Sequence, residues 1–174
     1  MGPVRYRGVD TSTTGFEEFY LASRDSCLRA VLGVGVDPVD AEDVVAEAFA
    51  RAWASWRKVS RHRAPQAWVV RTAMNANISR WRRARRETPL AGYDRVSLDR
   101  VESLDRDLLT RLRGLPRRQR EVIALRVFLD LDVAQTAAAL GLAKGTVTAH
   151  MARAVATLRP QLMPAHLAPD RRDT

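Results

Sequence analysis

Residues 141–154, "GLAKGTVTAHMARA", contain the most informative local pattern of the chain. Gly141 interrupts a run of helix-forming residues, and a second helical pattern begins three residues later. Two helices joined by a tight turn that contains glycine form the helix-turn-helix layout, but the same layout also occurs as an αα-hairpin in a helical core. The rest of the chain must distinguish a DNA-reading element from simple helix packing.

Apolar spacing gives each of these two helices an inward face. The first helix buries Val133, Ala137 and Leu140, and the second buries Val147, Met151, Ala154 and Leu158. The outward arc of the second helix then holds small residues and one long base, with no acid: Gly145, Thr146, Thr148, Ala149, Ala152 and Arg153. Such a surface can approach a major groove closely while the arginine reaches a guanine or a phosphate.

The net charge favours a polyanionic partner. The chain of 174 residues has a formal net charge of +9, so nucleic acid is the first candidate and an anionic membrane the second. Cys27 is the only cysteine, which excludes a disulfide framework and a cysteine metal cluster and suits a reducing compartment. No apolar run approaches the roughly 20 residues of a membrane span, and the N-terminus lacks the apolar core of a signal peptide. We therefore expect a cytoplasmic protein that does not bind a membrane.

Metal and cofactor sites are not expected. The three histidines, His62, His150 and His166, have no ligand-spaced partners, and the chain has neither a glycine-rich phosphate loop nor a nucleophile elbow. We expect no catalytic residue and no cofactor.

Two helices are predicted before residue 57. Thr14 and Glu17 have the spacing of a capping box, which predicts a helix start at Thr14, and "GVGVDP" (33–38) predicts its end. Asp40 is predicted to cap the second helix, whose apolar face holds Val45, Phe49, Ala52 and Trp56. Trp53 is also expected in the core.

A basic segment follows. "RKVSRHRAP" (57–65) is predicted as a basic loop, and Pro65 suits the first turn of the third helix. One stripe of that helix is apolar, with Val70, Met74, Ile78 and Trp81. Another stripe is rich in arginine, and no acid intervenes until Glu87, which favours phosphate binding over an ordinary solvated face. This basic stripe and its neighbours comprise Arg71, Asn75, Ser79, Arg80, Arg82, Arg83, Arg85 and Arg86.

Residues 89–97 lack sustained periodicity and are predicted to link two domains. A helical stripe resumes with Leu98, Val101, Leu104, Leu108 and Leu112 and ends at Gly114; Pro116 then opens a helix that buries Val122, Leu125 and Leu129. The predicted fold is all-α: one helical domain at 14–88, a flexible linker at 89–97, a helix-turn-helix domain at 98–160 and a flexible tail at 161–174.

Three segments, taken together, resemble conserved regions 2.2, 2.3–2.4 and 4 of the extracytoplasmic-function (group 4) sigma factors of bacterial RNA polymerase, in the sigma-70 family. They are "DAEDVVAEAFARAW" (40–53), "AWVVRTAMNANISRWRRARR" (67–86) and "LPRRQREVIALR…ALGLAKGTVTAHMARAVATLR" (115–159). Their co-occurrence in this order, with a short linker, is far more specific than any one of them. The resemblance implies a factor that binds core RNA polymerase and directs promoter-specific initiation, with no active site of its own.

The resemblance also implies roles for individual residues. The −35 element would be read by Lys144, Thr146, Thr148, Ala149, His150 and Arg153. The −10 element would be opened and held by Arg61, His62, Arg63, Trp68, Arg71, Asn75, Ser79, Arg80, Arg82, Arg83 and Arg86. The clamp helices of the polymerase β′ subunit would dock on Asp43, Ala46, Glu47 and Arg51. The β flap, promoter DNA and an anti-sigma factor are further implied partners.

Three positions depart from the family pattern. Ala46 stands where glutamine is usual, Ala143 where a serine caps the recognition helix, and His150 where arginine is common. A missing cap typically costs about 1 kcal/mol of helix stability, so the start of that helix depends on other contacts.

Two rivals remain from the residues alone. A stand-alone helix-turn-helix regulator would use the first half as a sensor or dimerisation domain, but such a domain has no need of the arginine-rich segment at 80–86. A small nuclease would need Asp40, Glu42 and Asp43 to hold a metal, whereas acids at a helix start are ordinary.

Overall fold

The computed structural model describes residues 11–84 and 106–162, and side chains within 15–80 and 106–162. The described residues form helices and connecting turns, without a strand. In the first half these are α1 (Thr11–Gly33), α2 (Pro38–Ala54), α3 (Trp56–Val59) and α4 (Pro65–Ala84). In the second half they are α5 (Arg106–Arg113), α6 (Arg117–Ile123), a π-helical turn (Ala124–Phe128), α7 (Val133–Leu140) and α8 (Lys144–Leu162). The all-α prediction is confirmed.

Two predicted helix starts are wrong. Helix α1 begins at Thr11, so Thr14 lies inside the helix, because threonine in a first turn costs only a few tenths of a kcal/mol. Helix α2 is capped by Asp37, whose carboxylate accepts from the N–H of Val39 at 3.0 Å, and not by Asp40. Pro38 explains this difference, because proline occupies the first helical position readily and places the cap one residue before it.

Several predicted helix boundaries are confirmed. Helix α1 ends at Gly33, helix α4 begins at Pro65, and helix α5 ends just before Gly114. The linker at 89–97 and most of the tail lie outside the described residues. Helix α8 runs through Pro160 to Leu162, two residues beyond the predicted domain end.

The basic loop prediction at 57–65 is only partly right. Residues Trp56–Val59 form the short helix α3, and Val59 is buried. The irregular backbone is confined to the residues between α3 and α4. Val59 explains the difference, because burying its side chain against the first-half helices stabilises one helical turn there.

One apolar core joins the two halves. Helices α1, α2 and α4 form a three-helix layer around Val31, Val44, Phe49 and Val69. The same cluster continues into the second half through Leu109, Ala124, Leu125, Leu129, Leu131 and Ala139. The predicted inward residues Val122, Leu125 and Leu129 are all buried, and the second half therefore packs directly against the first.

Burial fixes the protonation state of Cys27. Its side chain is fully buried, and burial raises the pKa of the thiol to about 12. Because the folded protein holds this proton more tightly than the unfolded chain, the resulting stability is fully present below the ordinary pKa of 9.0 and is lost as the pH rises towards about 12.

We therefore expect Cys27 to resist thiol reagents in the folded protein at mildly alkaline pH. A colorimetric disulfide reagent should label it only after urea unfolds the chain, because the thiol is both inaccessible and protonated. Labelling of the native protein at the rate seen in urea would contradict the packing around Cys27.

Candidate nucleic-acid and polymerase interface

Local hydrogen bonds fix the helix-turn-helix. Asp132 accepts from the N–H of Gln135 at 2.7 Å, and the Gln135 side chain accepts from the N–H of Asp132 at 2.9 Å, which is a complete capping box at the start of α7. This box was missed at the level of sequence, although its D-x-x-Q spacing is visible there. At the end of α7, Gly141 has φ +65°, and the N–H of Leu142 donates to the carbonyl of Ala137 at 3.0 Å. Glycine is suited to this left-handed position because it has no Cβ.

The inward face of α8 packs as predicted. Val147 is fully buried and clusters with Val122 and Ala137, which ties α8 to α6 and α7. Further along, Ala154 and Leu158 pack on the second-half core. The orientation of α8 therefore follows from its own apolar spacing.

The outward arc of α8 is open to solvent. The exposed residues are Lys144, Gly145, Thr146, Thr148, Ala152 and Arg153, while Ala149 and His150 are half-buried. Within the described part of the chain, no acid lies on α8. The structure thus brings the predicted −35 residues onto a single helix with a positively charged end.

His150 is less free than the other residues of this arc. Its Nδ1 atom is buried and has no hydrogen-bond partner among the described residues. The ring therefore packs partly against the helical core instead of extending from the arc as an arginine would.

The acids of α2 lie next to a predicted DNA contact. Arg80 of α4 lies 3.6 Å from Asp43 and 3.7 Å from Glu47, and Glu47 also accepts from Arg51 at 2.6 Å. These groups are at least one-third exposed, so their mutual attraction is worth only ~1 kcal/mol or less per pair. The predicted polymerase-binding residues form one exposed patch, and Arg80 belongs to that patch as much as to the arginine-rich stripe.

An apolar groove borders the acidic patch. Its walls come from Phe16 and Tyr20 of α1 and from Ala46, Phe49 and Trp53 of α2, and its volume is about 520 Å³. The expectation that Trp53 belongs to the core is wrong, because the side chain is 46% exposed. Ala48, Phe49 and Ala52 fill the core on the inner side of α2, and the Trp53 ring packs at a tilt against Phe16, with ring centroids 5.0 Å apart.

Four of the predicted −10 residues meet at one cavity. His62, Trp68, Arg71 and Asn75 line a space of about 290 Å³ on the outer face of α4. The opposite wall is Ala138 and Ala139 of α7, which is part of the helix-turn-helix. Three other predicted −10 residues are exposed but do not line this cavity: Arg61, Arg63 and Ser79. The structure does not describe the side chains of Arg82, Arg83 and Arg86.

Two arginines connect the halves through backbone carbonyls. Arg71 donates from Nη1 to the Ala139 carbonyl at 2.7 Å, and Arg120 donates from Nε to the Val34 carbonyl at 3.1 Å. Both acceptors lie at or just beyond the carboxyl end of a helix, where carbonyls lack helical partners and attract cations. Arg120 was missed at the level of sequence, because nothing in the local pattern of α6 points to a carbonyl 86 residues away.

A second apolar groove lies within the second half, between α5, the π-helical turn and α8. Leu108, Val127, Met151 and Val155 are among the residues that line its volume of about 230 Å³. Val127 is 56% exposed and Val155 is 39% exposed, so this apolar surface is left open. In the part of the chain that the structure describes, no three potential metal ligands cluster together, and no helix is long and apolar enough to cross a bilayer.

Comparison with known proteins identifies the family. The sigma-70 region 2 model matches residues 20–87, and the sigma-70 region 4 model matches residues 105–158. The chain belongs to the sigma-70 family of transcription initiation factors, which act with RNA polymerase and are not enzymes.

Curated relatives match over most of their length. The RNA polymerase sigma-E factor of Streptomyces coelicolor is 34% identical over 152 residues, which covers 85% of this chain and 86% of the relative. The ECF RNA polymerase sigma factor SigL of Mycobacterium tuberculosis is 33% identical over 140 residues, which covers 75% of this chain and 79% of the relative. The resemblance to extracytoplasmic-function sigma factors is confirmed.

Two solved structures share the fold. The sigma factor RpoE of Bartonella quintana, in complex with the anti-sigma factor NepR, superposes with a TM-score of 0.69 at 24% identity and covers 86% of this chain and 97% of its own. CnrH, in complex with the cytosolic domain of CnrY, superposes with a TM-score of 0.61 at 25% identity and covers 86% of this chain and 88% of its own.

The same substitution should change the stability of the protein in opposite directions at two glycines of the helix-turn-helix. We expect Gly141→Ala to lower the free energy of unfolding by about 1–2 kcal/mol, because alanine is strained at a positive φ. Gly145→Ala should raise it by up to about 1 kcal/mol, because this residue is helical. An added Cβ meets no atom within 4 Å at either position, so packing does not distinguish the two. Urea unfolding monitored by circular dichroism measures both, and equal effects would contradict the turn geometry.

Proposed function

We propose that this protein initiates transcription by joining core RNA polymerase and reading two promoter elements, one with each half. Helix α8 would read the −35 element in duplex DNA, and the outer face of α4 would hold the opened −10 element. The observation that carries this proposal is the acid-free outward arc of α8, held on a capped helix-turn-helix within the matched region 4.

The −35 contact follows from the shape and charge of α8. Its exposed threonines, Gly145 and Ala152 leave little side-chain bulk, so the helix axis can come close to base edges. Lys144 at the start and Arg153 further along are both exposed and can each neutralise a phosphate. Arg153 is also long enough to reach the O6 and N7 atoms of a guanine with its planar fork.

The −10 contact requires unpaired DNA. Trp68 offers an aromatic face for stacking, and Arg71 and Asn75 offer hydrogen-bond donors on the same side of α4. The loop with Arg61, His62 and Arg63 supplies positive charge for the strand backbone beside them. This combination suits a single-stranded segment better than a duplex groove.

Polymerase would dock on both halves. The exposed Asp43 and the half-buried Glu47, with the exposed Ala46 between them, form the surface proposed for the β′ clamp helices. An acidic patch on a protein of net charge +9 favours a basic partner surface and sets the orientation of the complex. The open apolar groove lined by Val127 and Val155 is the surface that we assign to the β flap, because burial of that apolar area would favour binding.

Two weak readers on one polymerase give a specific complex. Each half alone makes few base contacts, but polymerase would hold them at a fixed separation and so raise the effective concentration of the second reader. In the first of the two solved structures, RpoE is bound to the anti-sigma factor NepR. We propose that an anti-sigma factor also controls this chain, and that the protein acts in the cytoplasm with polymerase.

Charge reversal of the α2 patch tests the polymerase surface. We expect Asp43→Lys with Glu47→Lys to weaken binding to core polymerase by at least about tenfold, because like charges placed across an interface cost several kcal/mol. The yield of run-off transcripts from a genomic promoter library should decrease together with the binding of this double variant to polymerase. The matched control, Glu18→Lys with Asp25→Lys, reverses two exposed acids on α1 and should bind and transcribe as the native protein does. If the native protein gives no promoter-specific product, the proposed function is wrong.

Arg153 tests the −35 reader. Arg153→Ala should cost about 1–3 kcal/mol of promoter binding by the holoenzyme and relax the base preference at one −35 position, provided that the side chain reads a base. A uniform loss over all sequences, with a shallower salt dependence, would identify a phosphate contact instead. Arg106→Ala, which removes the same charge from an exposed site on α5, serves as the control.

A further inference from the structure

A separate polar cavity of about 170 Å³ lies beside α6. Three arginines line it, Arg117 and Arg118 of α6 and Arg71 of α4. Among the described residues of its lining, Glu121 is the only acid. Three guanidinium groups thus surround the cavity with one carboxylate, which is an excess of two positive charges.

Glu121 holds two of these arginines side by side. Its side chain is 1% exposed, and it accepts from Nε of Arg117 and from Nη1 of Arg118, both at 2.7 Å. The side chains of the two arginines are 61% and 53% exposed. Such a buried carboxylate is weak evidence of a stabilising role, because apolar residues can often replace a buried ion pair without loss of stability. The geometry is suited instead to fixing the direction of two solvent-facing guanidinium groups.

Most donors of the three guanidinium groups remain available to a ligand. Each arginine side chain has five N–H donors. Within the described part of the chain, Arg117 uses its Nε and Arg118 uses one Nη for Glu121. Arg71 uses one Nη for the Ala139 carbonyl, at 2.7 Å. The other Nη groups can donate to an acceptor that enters the cavity.

The remaining walls limit what the cavity can hold. Val70, Leu125 and Leu140 contribute apolar surface, and Asn75 contributes an amide. Apolar walls strengthen the field of nearby charges because they polarise less than water does. The volume of about 170 Å³ is below the roughly 300–1,000 Å³ of pockets that enclose a drug-sized ligand. The cavity is therefore suited to a small anionic group.

We propose that this cavity binds a phosphate or diphosphate group, which Arg71, Arg117 and Arg118 hold and for which Glu121 positions two of the three arginines. Two oxygens of a phosphate match the planar fork of arginine and can accept two parallel hydrogen bonds from it. A phosphate group carries roughly −1.5 to −2 charges at neutral pH, which would offset the excess positive charge. The group can belong to a free phosphorylated small molecule or to a nucleic-acid backbone. Arg117 and Arg118 have no part in the promoter reading proposed above.

Titration calorimetry of the full chain with inorganic pyrophosphate tests the site, at an ionic strength held constant with sodium chloride. We expect saturable binding to the native protein and at least about tenfold weaker binding to Arg118→Gln, because one fork of charge-assisted hydrogen bonds is lost. Arg106→Gln removes the same charge from an exposed position on α5 outside the cavity, and it should bind as the native protein does. No saturable binding to the native protein, or equal affinities of the two variants, would overturn the site.

Arg118→Lys provides a second route, should Arg118→Gln fail to fold as judged by circular dichroism. Lysine keeps a positive charge beside the buried carboxylate of Glu121 but lacks the planar fork. We expect this variant to bind pyrophosphate about threefold or more weakly than the native protein. An unchanged affinity in the folded variant would show that Arg118 does not contact the ligand, and the proposed site would be wrong.

Competition with DNA distinguishes the two sources of the phosphate group. Fluorescein-labelled single-stranded DNA of mixed sequence is titrated with the native protein and with Arg118→Gln, each with and without saturating pyrophosphate. If neither pyrophosphate nor the substitution changes DNA binding, the ligand of the cavity is a free small anion. If pyrophosphate displaces the DNA and Arg118→Gln also binds the DNA more weakly, the ligand is a nucleic-acid phosphate. Either effect without the other would mean that the two ligands do not meet at Arg118, and would overturn the proposal.

Discussion

The apolar contact between the two halves of the chain organises the described structure. Leu125, Leu129 and Leu131 of the second half extend a core whose first-half members lie mainly on α1, α2 and α4. This contact places α7 over α4 and brings Phe128 against Gly33. It determines which surfaces face solvent, and therefore which surfaces are available to partners.

Helix ends supply the polar part of the same contact. The carbonyls at the end of a helix have no partner in the helix, and they must be satisfied by water, by a cap or by a cation. Arg71 and Arg120 each satisfy such a carbonyl in or beside a helix of the other half. An arginine used in this way can exchange its carbonyl partner for a nucleic-acid phosphate, because the phosphate is also a good acceptor for its N–H groups.

The exposed surfaces divide according to chemistry. Small and basic side chains occupy the outward arc of α8, acids occupy the outer face of α2, and open apolar grooves lie beside Trp53 and Val155. A monomer that acted only on DNA would have little use for the acids or the grooves, whereas a subunit of a large enzyme needs docking surfaces as well as readers. The membership in the sigma-70 family and the surface chemistry thus agree.

The pattern of the sequence predicted most of the helices and the way in which α8 faces outward, but not α3 or the capping box of α7. Apolar spacing predicted the burial of Val147, Ala154 and Leu158, and Gly141 marked the turn, because these features depend on residues within a few positions of each other. Three features arise only from the packing of the helices: Trp53 is exposed, Arg80 lies beside Asp43 and Glu47, and Arg71 caps α7. Each of these depends on how helices distant in sequence pack together, and the helical period of one segment carries no information about its neighbour.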